Sequence, residues 1–115
     1  MITLYGIKNC DTVKKAQKWL SQNNIEFKFH DFRQDGLDQT KIENWLTKLD
    51  WEQVLNKRST SYRQLSEEIK ANLSAENVAA VLIENPTLIK RPLVETEADT
   101  FVGFNDKQWQ AIFAK

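Results

Sequence analysis

The sequence predicts an α/β domain in which a mixed four-stranded sheet is flanked by helices and interrupted by an all-helical insertion. Three observations predict it. Residues 1–50 alternate strand-like and helix-like periods, with a crossover long enough to join parallel strands. Residues 51–85 carry helical spacings only. After Pro86 the strand-like runs lie too close together for another crossover, so they should close as a hairpin. With 115 residues the chain has the size of a single domain, core 1–50 and 86–115, insertion about 51–85.

Ile2-Thr3-Leu4-Tyr5 is a short apolar run ended by Gly6 and reads as a buried strand. Asp11 or Thr12 then stands where a helix cap is needed, ahead of an inner face of Val13, Ala16 and Leu20 at spacings of three and four. Asn23-Asn24 stops that helix. Ile25, Phe27 and Phe29 alternate with Glu26, Lys28 and His30, the period of a half-buried strand with His30 on its exposed side. Asp35-Gly36 turns the chain, and Ile42, Trp45, Leu46 and Leu49 form the next helical stripe.

Within the insertion, Tyr62, Leu65, Ile69 and Leu73 share one helical stripe. Val78, Val81 and Leu82 share another, with Ser74 as the expected cap. Pro86 ends this stretch because the residue before proline resists helix. Leu88-Ile89, Pro92-Leu93-Val94 and Phe101-Val102 read as short strands, with Gly103 as a break. Asn105-Asp106 caps a last helix with Trp109, Ile112 and Phe113 inward. A parallel half followed by an antiparallel half, with helices on the faces, is the thioredoxin-type arrangement. Trp19, Trp45, Trp51 and Trp109 fall on or beside the apolar stripes and are assigned to the core.

Composition narrows the function. The chain is 41% apolar and 10% aromatic, enough for a packed core and against disorder as the main state. Sixteen basic residues balance 16 acidic ones, so the counterion-displacing excess of a general nucleic-acid binder is missing and no direct nucleic-acid partner is expected. The longest apolar run, Val78 to Ile83, is far shorter than the roughly 20 residues of a membrane helix. The first residues lack the basic start of a signal peptide, so a cytoplasmic location is expected. One cysteine and one histidine cannot build a structural zinc site or an internal disulfide; no metal and no bound cofactor are expected.

The chemistry centres on Cys10, in Gly6-Ile7-Lys8-Asn9-Cys10-Asp11-Thr12 between the first strand and the first helix. At a helix N-terminus, free amide protons and the dipole favour negative charge, and thiolate is the nucleophilic form of cysteine. Lys8, Lys14 and Lys15 add to that field and Asp11 opposes it. A dithiol motif would place a second cysteine at Val13. Without it Cys10 cannot resolve its own mixed disulfide, so turnover must use a second thiol, from glutathione or a redox protein. Arg91-Pro92 is the second feature: in a thioredoxin-type fold a cis proline loop faces the reactive cysteine. Arg91 can then donate a fork of hydrogen bonds to an anion held there. Arg58, after Lys57, is a further candidate anion-holding group.

These motifs carry a family resemblance. Tyr5-Gly6-Ile7-Lys8-Asn9-Cys10-Asp11-Thr12-Val13-Lys14-Lys15-Ala16, Asp35-Gly36-Leu37, Leu55-Asn56-Lys57-Arg58, Pro86 and Ile89-Lys90-Arg91-Pro92-Leu93-Val94 resemble, in order, the arsenate reductase-like (ArsC/Spx) family, most closely its YffB-type branch. The resemblance implies a thioredoxin-like fold with a helical insertion, Cys10 as nucleophile, and Arg91 before a cis proline as an anion holder. The YffB-type branch implies a glutathione-linked thiol reductase. Similar arsenate reductases attack the oxyanion with the cysteine and finish the cycle with glutathione and glutaredoxin. They have histidine where this chain has Gly6, an anion-binding arginine where an ungapped reading places Asn56, and a further arginine where Phe104 stands, departures that weigh against arsenate. The regulator branch implies binding to RNA polymerase, many of its members carrying a Cys-x-x-Cys switch that Val13 removes here. The leading expectation is therefore a thiol reductase in which Arg91, Arg58, Lys8 and Pro92 form the substrate or glutathione site around Cys10.

Overall fold

The computed structural model describes residues 2–8 and 10–113. It divides into two compact units, Met1–Asp35 with Arg91–Lys115, and Gly36–Lys90. The first unit contains β1 (Ile2–Gly6), α1 (Asp11–Gln22), β2 (Phe27–Asp31), β3 (Leu93–Glu95), β4 (Thr100–Val102) and α7 (Asp106–Phe113). The second contains α2 (Gln39–Lys48), α3 (Trp51–Val54), α4 (Thr60–Arg63), α5 (Glu67–Asn72), α6 (Val78–Glu84) and a 3-10 turn at Pro86–Leu88.

The sheet has the order β2-β1-β3-β4. β1 pairs parallel with β2 from Ile2↔Phe27 to Gly6↔Asp31, and antiparallel with β3 through Leu4↔Val94 and Tyr5↔Leu93. β3 and β4 close the antiparallel half. This is the mixed, helix-flanked, thioredoxin-type sheet that the element order predicts.

Leu4 and Val94 face one side, where α1 delivers Val13, Ala16, Trp19 and Leu20 and α7 delivers Trp109. Indole polarity is met inside that core. Trp19 Nε1 donates to Asp106 Oδ1 at 3.0 Å, and Trp109 Nε1 donates to the Gly103 carbonyl at 3.2 Å. Gly103 reaches that position with φ 84°, a left-handed value that suits glycine.

Several elements differ from the sequence expectation for local reasons. β2 starts at Phe27 rather than Ile25, because Asn24 turns left-handed (φ 56°) and the Ile25 amide still bonds back to the Leu20 carbonyl. The Val78 helix is capped by Asn77, while Ser74 opens the turn before it and accepts the Glu76 amide. Leu88-Ile89 is no strand: Pro86 opens a 3-10 turn, and Ile89 alone bridges Leu55. In the second unit α2 packs on α6, and Ile42, Trp45, Val54, Val78, Leu82 and Leu88 are fully buried. Among the described residues no helix is long and apolar enough to cross a membrane.

The opposite face of the sheet corrects the reading of His30. The ring is half-buried, its centroid 4.9 Å from that of Tyr5, its parallel partner. The Tyr5 hydroxyl donates to Glu95 Oε1 at 2.5 Å. Burial first, then the bond to the Glu95 carboxylate and its negative charge, push the Tyr5 phenol above its ordinary pKa. Above about pH 10 an unfolded tyrosine loses its proton while folded Tyr5 keeps it, so the unfolded chain binds fewer protons and stability falls as pH rises. Thermal melts between about pH 9 and 11 are expected to show a shallower alkaline loss in Tyr5→Phe than in the wild type. Equal slopes would remove Tyr5 as the cause.

Candidate active site

The site is built where β1 hands the chain to α1. Gly6 ends the strand, and a Cβ there would lie 2.7 Å from Val13 Cγ2. Glycine at this position lets the first turn of α1 pack directly onto the strand backbone. Ile7 is buried and Lys8 is exposed. Cys10, with φ −110° and ψ 120°, is the N-cap of α1, and its carbonyl accepts the Lys14 amide at 3.0 Å. The cap is thus one residue earlier than Asp11, which instead opens the first helical turn. The Cys10 side chain makes no capping bond, is half-buried as a free thiol, and packs against the Trp19–Trp109 core.

Arg91 and Pro92 reach the same end of the sheet by register. Tyr5 pairs with Leu93 in antiparallel sense, so the residues just before β3 lie beside those just after β1. The Arg91-Pro92 peptide is cis, and the buried Pro92 offers its carbonyl to the Gly103 amide at 2.8 Å. Arg91 Nη1 is buried and has no hydrogen-bond partner among the described residues. Buried guanidinium nitrogens are ordinarily hydrogen-bonded, so this one stands out in the loop ahead of β3.

The first unit therefore brings Cys10, Lys8, Arg91 and Pro92 to one end of its sheet. Arg58 belongs to the second unit, exposed between α3 and α4, where its amide donates to Asn56 Oδ1 at 3.1 Å. Its neighbour Lys57 lies over the Trp51 ring, 5.8 Å from the centroid, and pairs with Glu52 at 3.2 Å. Phe104 stands edge-on to Trp109 with centroids 4.8 Å apart, so that position serves the aromatic core.

Two polar features escaped the sequence reading. Asp31, 4% exposed at the end of β2, pairs in register with Gly6 and accepts the amides of Arg33 and Gln34 at 2.7 and 3.2 Å. An aspartate directly after an alternating strand is the available signal for such a turn. The Tyr5–Glu95 bond joins residues 90 apart and has no local signal. Among the described residues no group of histidine, cysteine and carboxylate side chains is arranged to hold a metal ion.

A free thiol at a helix N-terminus and a guanidinium in the loop ahead of β3 thus stand at one end of the sheet. The ArsC family model matches residues 5–112, and the chain belongs to the ArsC family. An uncharacterised protein of Haemophilus influenzae is 53% identical over 114 residues, spanning 99% of this chain and 100% of that one. The global transcriptional regulator Spx 2 of Lactococcus lactis is 29% identical over 117 aligned positions, spanning 100% of this chain and 88% of the regulator. Among solved structures, a protein called YFFB superposes with a TM-score of 0.92 at 37% identity, covering 96% of this chain and 97% of its own. An arsenate reductase (ArsC) related protein from Brucella melitensis gives 0.80 at 38% identity, covering 99% and 95%.

Proposed function

We propose that this chain is a cytoplasmic, glutathione-dependent thiol reductase with Cys10 as its nucleophile. One observation carries the reading: its lone cysteine caps a 12-residue helix with a side chain that makes no capping bond, at the sheet end that also holds the Arg91 guanidinium. Kinship with the arsenate reductase-related protein of Brucella supports thiol-based reduction.

The Cys10 thiolate attacks one sulfur of a substrate disulfide; that S–S bond breaks and the departing thiolate takes a proton. A glutathione thiolate then displaces the second substrate thiol and leaves Cys10 joined to glutathione. A second glutathione frees Cys10 and departs as oxidised glutathione, so two glutathiones reduce one disulfide. Glutaredoxin can replace the second glutathione. Arg91 holds a carboxylate of glutathione or of the substrate, Pro92 shapes the loop, and Lys8 adds positive field.

The test is intact mass after incubation with oxidised glutathione. One glutathione is expected on the wild type, reversed by fresh glutathione, and none on Cys10→Ser. An adduct that forms only after denaturation would overturn the reading. The arsenate alternative requires arsenite to appear when glutathione and glutaredoxin are both supplied, and its absence removes it. The relationship to Spx 2 favours a second reading, a module that binds RNA polymerase. That reading requires retention on polymerase that survives Cys10→Ser.

A further inference from the structure

The second unit carries an apolar groove that the thiol chemistry does not use. It has a volume of about 360 Å³ and runs between α5 and α6. Glu68, Ile69, Asn72 and Leu73 line it from one side, and Asn77, Ala80, Val81 and Glu84 from the other. Both sets recur at spacings of three and four, so each is a single helical face.

Two features make this groove more than a surface irregularity. Ile69 is 41% exposed, the one large hydrophobic so exposed among the described residues. α6 lies in the longest apolar run of the chain, yet its buried residues are Val78, Ala79 and Leu82. The same helix therefore presents Ala80 and Val81 on a second apolar face, toward the groove. Polar capacity at the rim is partly used internally: Asn77 Nδ2 donates to the Asn72 carbonyl at 2.6 Å, and Asn72 Nδ2 to the Glu68 carbonyl at 2.8 Å.

Charge then selects the occupant. The exposed rim carboxylates are Glu68 and Glu84, with Glu67 and Glu76 nearby in sequence. The basic residue of α5, Lys70, lies outside the lining and is engaged with Glu67 at 3.7 Å and with the Tyr62 ring at 5.3 Å. The chain as a whole is neutral, so this acidic rim is a local segregation of charge. We propose that the α5–α6 groove docks a basic, amphipathic segment of a partner protein. An aliphatic side chain of the partner packs on Ile69, Leu73 and Val81, and lysine or arginine residues flank it at Glu68 and Glu84.

The test uses the full chain and a displayed library of random peptides about ten residues long, enough for roughly three helical turns. Selected peptides are expected to combine an aliphatic anchor with flanking lysine or arginine and to bind more weakly as salt rises. Affinity should fall about tenfold or more in Ile69→Lys and separately in Glu84→Lys. Ile69 and Glu84 are both exposed, and matching melting curves verify that each variant folds. Glutathione addition at Cys10 should be unchanged in both, which separates this surface from the thiol site. Selection of acidic or uncharged peptides, binding indifferent to both substitutions, or no peptide enriched over background would overturn the proposal.

Discussion

Replacing Arg91 by methionine is expected to stabilise the free chain and to slow glutathione capture by Cys10, two effects of opposite sign from one substitution. Nη1 is buried with no partner among the described residues, and an unsatisfied buried donor costs about 1–3 kcal/mol, more when charged. Methionine keeps much of the packing stem and removes that cost, so the thermal midpoint should rise by several degrees, at roughly 3–6 °C per kcal/mol. A hydrogen bond to a charged group is worth about 1.5–3 kcal/mol, so losing the guanidinium should slow adduct formation by roughly ten- to a hundredfold. Melting curves and time-resolved intact mass on the same protein read both effects. A variant that is destabilised yet reacts at the wild-type rate would identify Arg91 as a structural residue and remove its anion role.

Trp109→Ala is expected to cost the most stability. The indole is fully buried and meets four aromatic rings edge-on or tilted: Trp19 at 5.6 Å, Phe101 at 5.7 Å, Phe104 at 4.8 Å and Phe113 at 5.7 Å between centroids. Its N–H also satisfies the Gly103 carbonyl. Truncation of a buried tryptophan costs about 3–5 kcal/mol, a large part of the roughly 5–15 kcal/mol that holds a domain together. The midpoint should fall by roughly 10–30 °C. Trp109→Phe, which retains most of the ring contacts, should lose distinctly less, and a similar loss in both variants would shift the weight to the hydrogen bond.

What the sequence disclosed and what it withheld divide along a physical line. Periodicity located the Val13-Ala16-Leu20 face of α1 and the Phe27-Phe29 alternation of β2, because burying one face demands those spacings. The spacing of the last two strands foretold the hairpin, and Cys10 and Arg91 stood out by residue type and position. Features fixed by dihedral angles or by tertiary pairing did not show. The cap of α1 was expected at Asp11 or Thr12, since cysteine has no strong capping signature, yet the extended backbone at position 10 makes Cys10 the cap. The pattern separates the Tyr62–Leu73 stripe from the Val78–Leu82 stripe near Ser74 but not the breaks between α3, α4 and α5, where Ser59 and Ser66 start new helices by accepting the Tyr62 and Ile69 amides. The buried Arg91 nitrogen and the Tyr5–Glu95 bond depend on contacts between distant segments, to which local pattern is blind.

The close approach of Gly6 to Val13 reaches beyond this molecule. With 2.7 Å between a notional Cβ at position 6 and Val13 Cγ2, the two sites share one fixed volume. A relative that carries a side chain at position 6 must shrink the residue at position 13, lengthen the intervening loop, or lift its helix off the sheet. Residue sizes at these two sites should therefore vary inversely across related chains of equal loop length. A histidine at position 6 would demand an adjustment on the helix as surely as it would add a titratable ring. The glycine thus acts as a gauge block, setting how far the Cys10 end of the helix stands from the sheet.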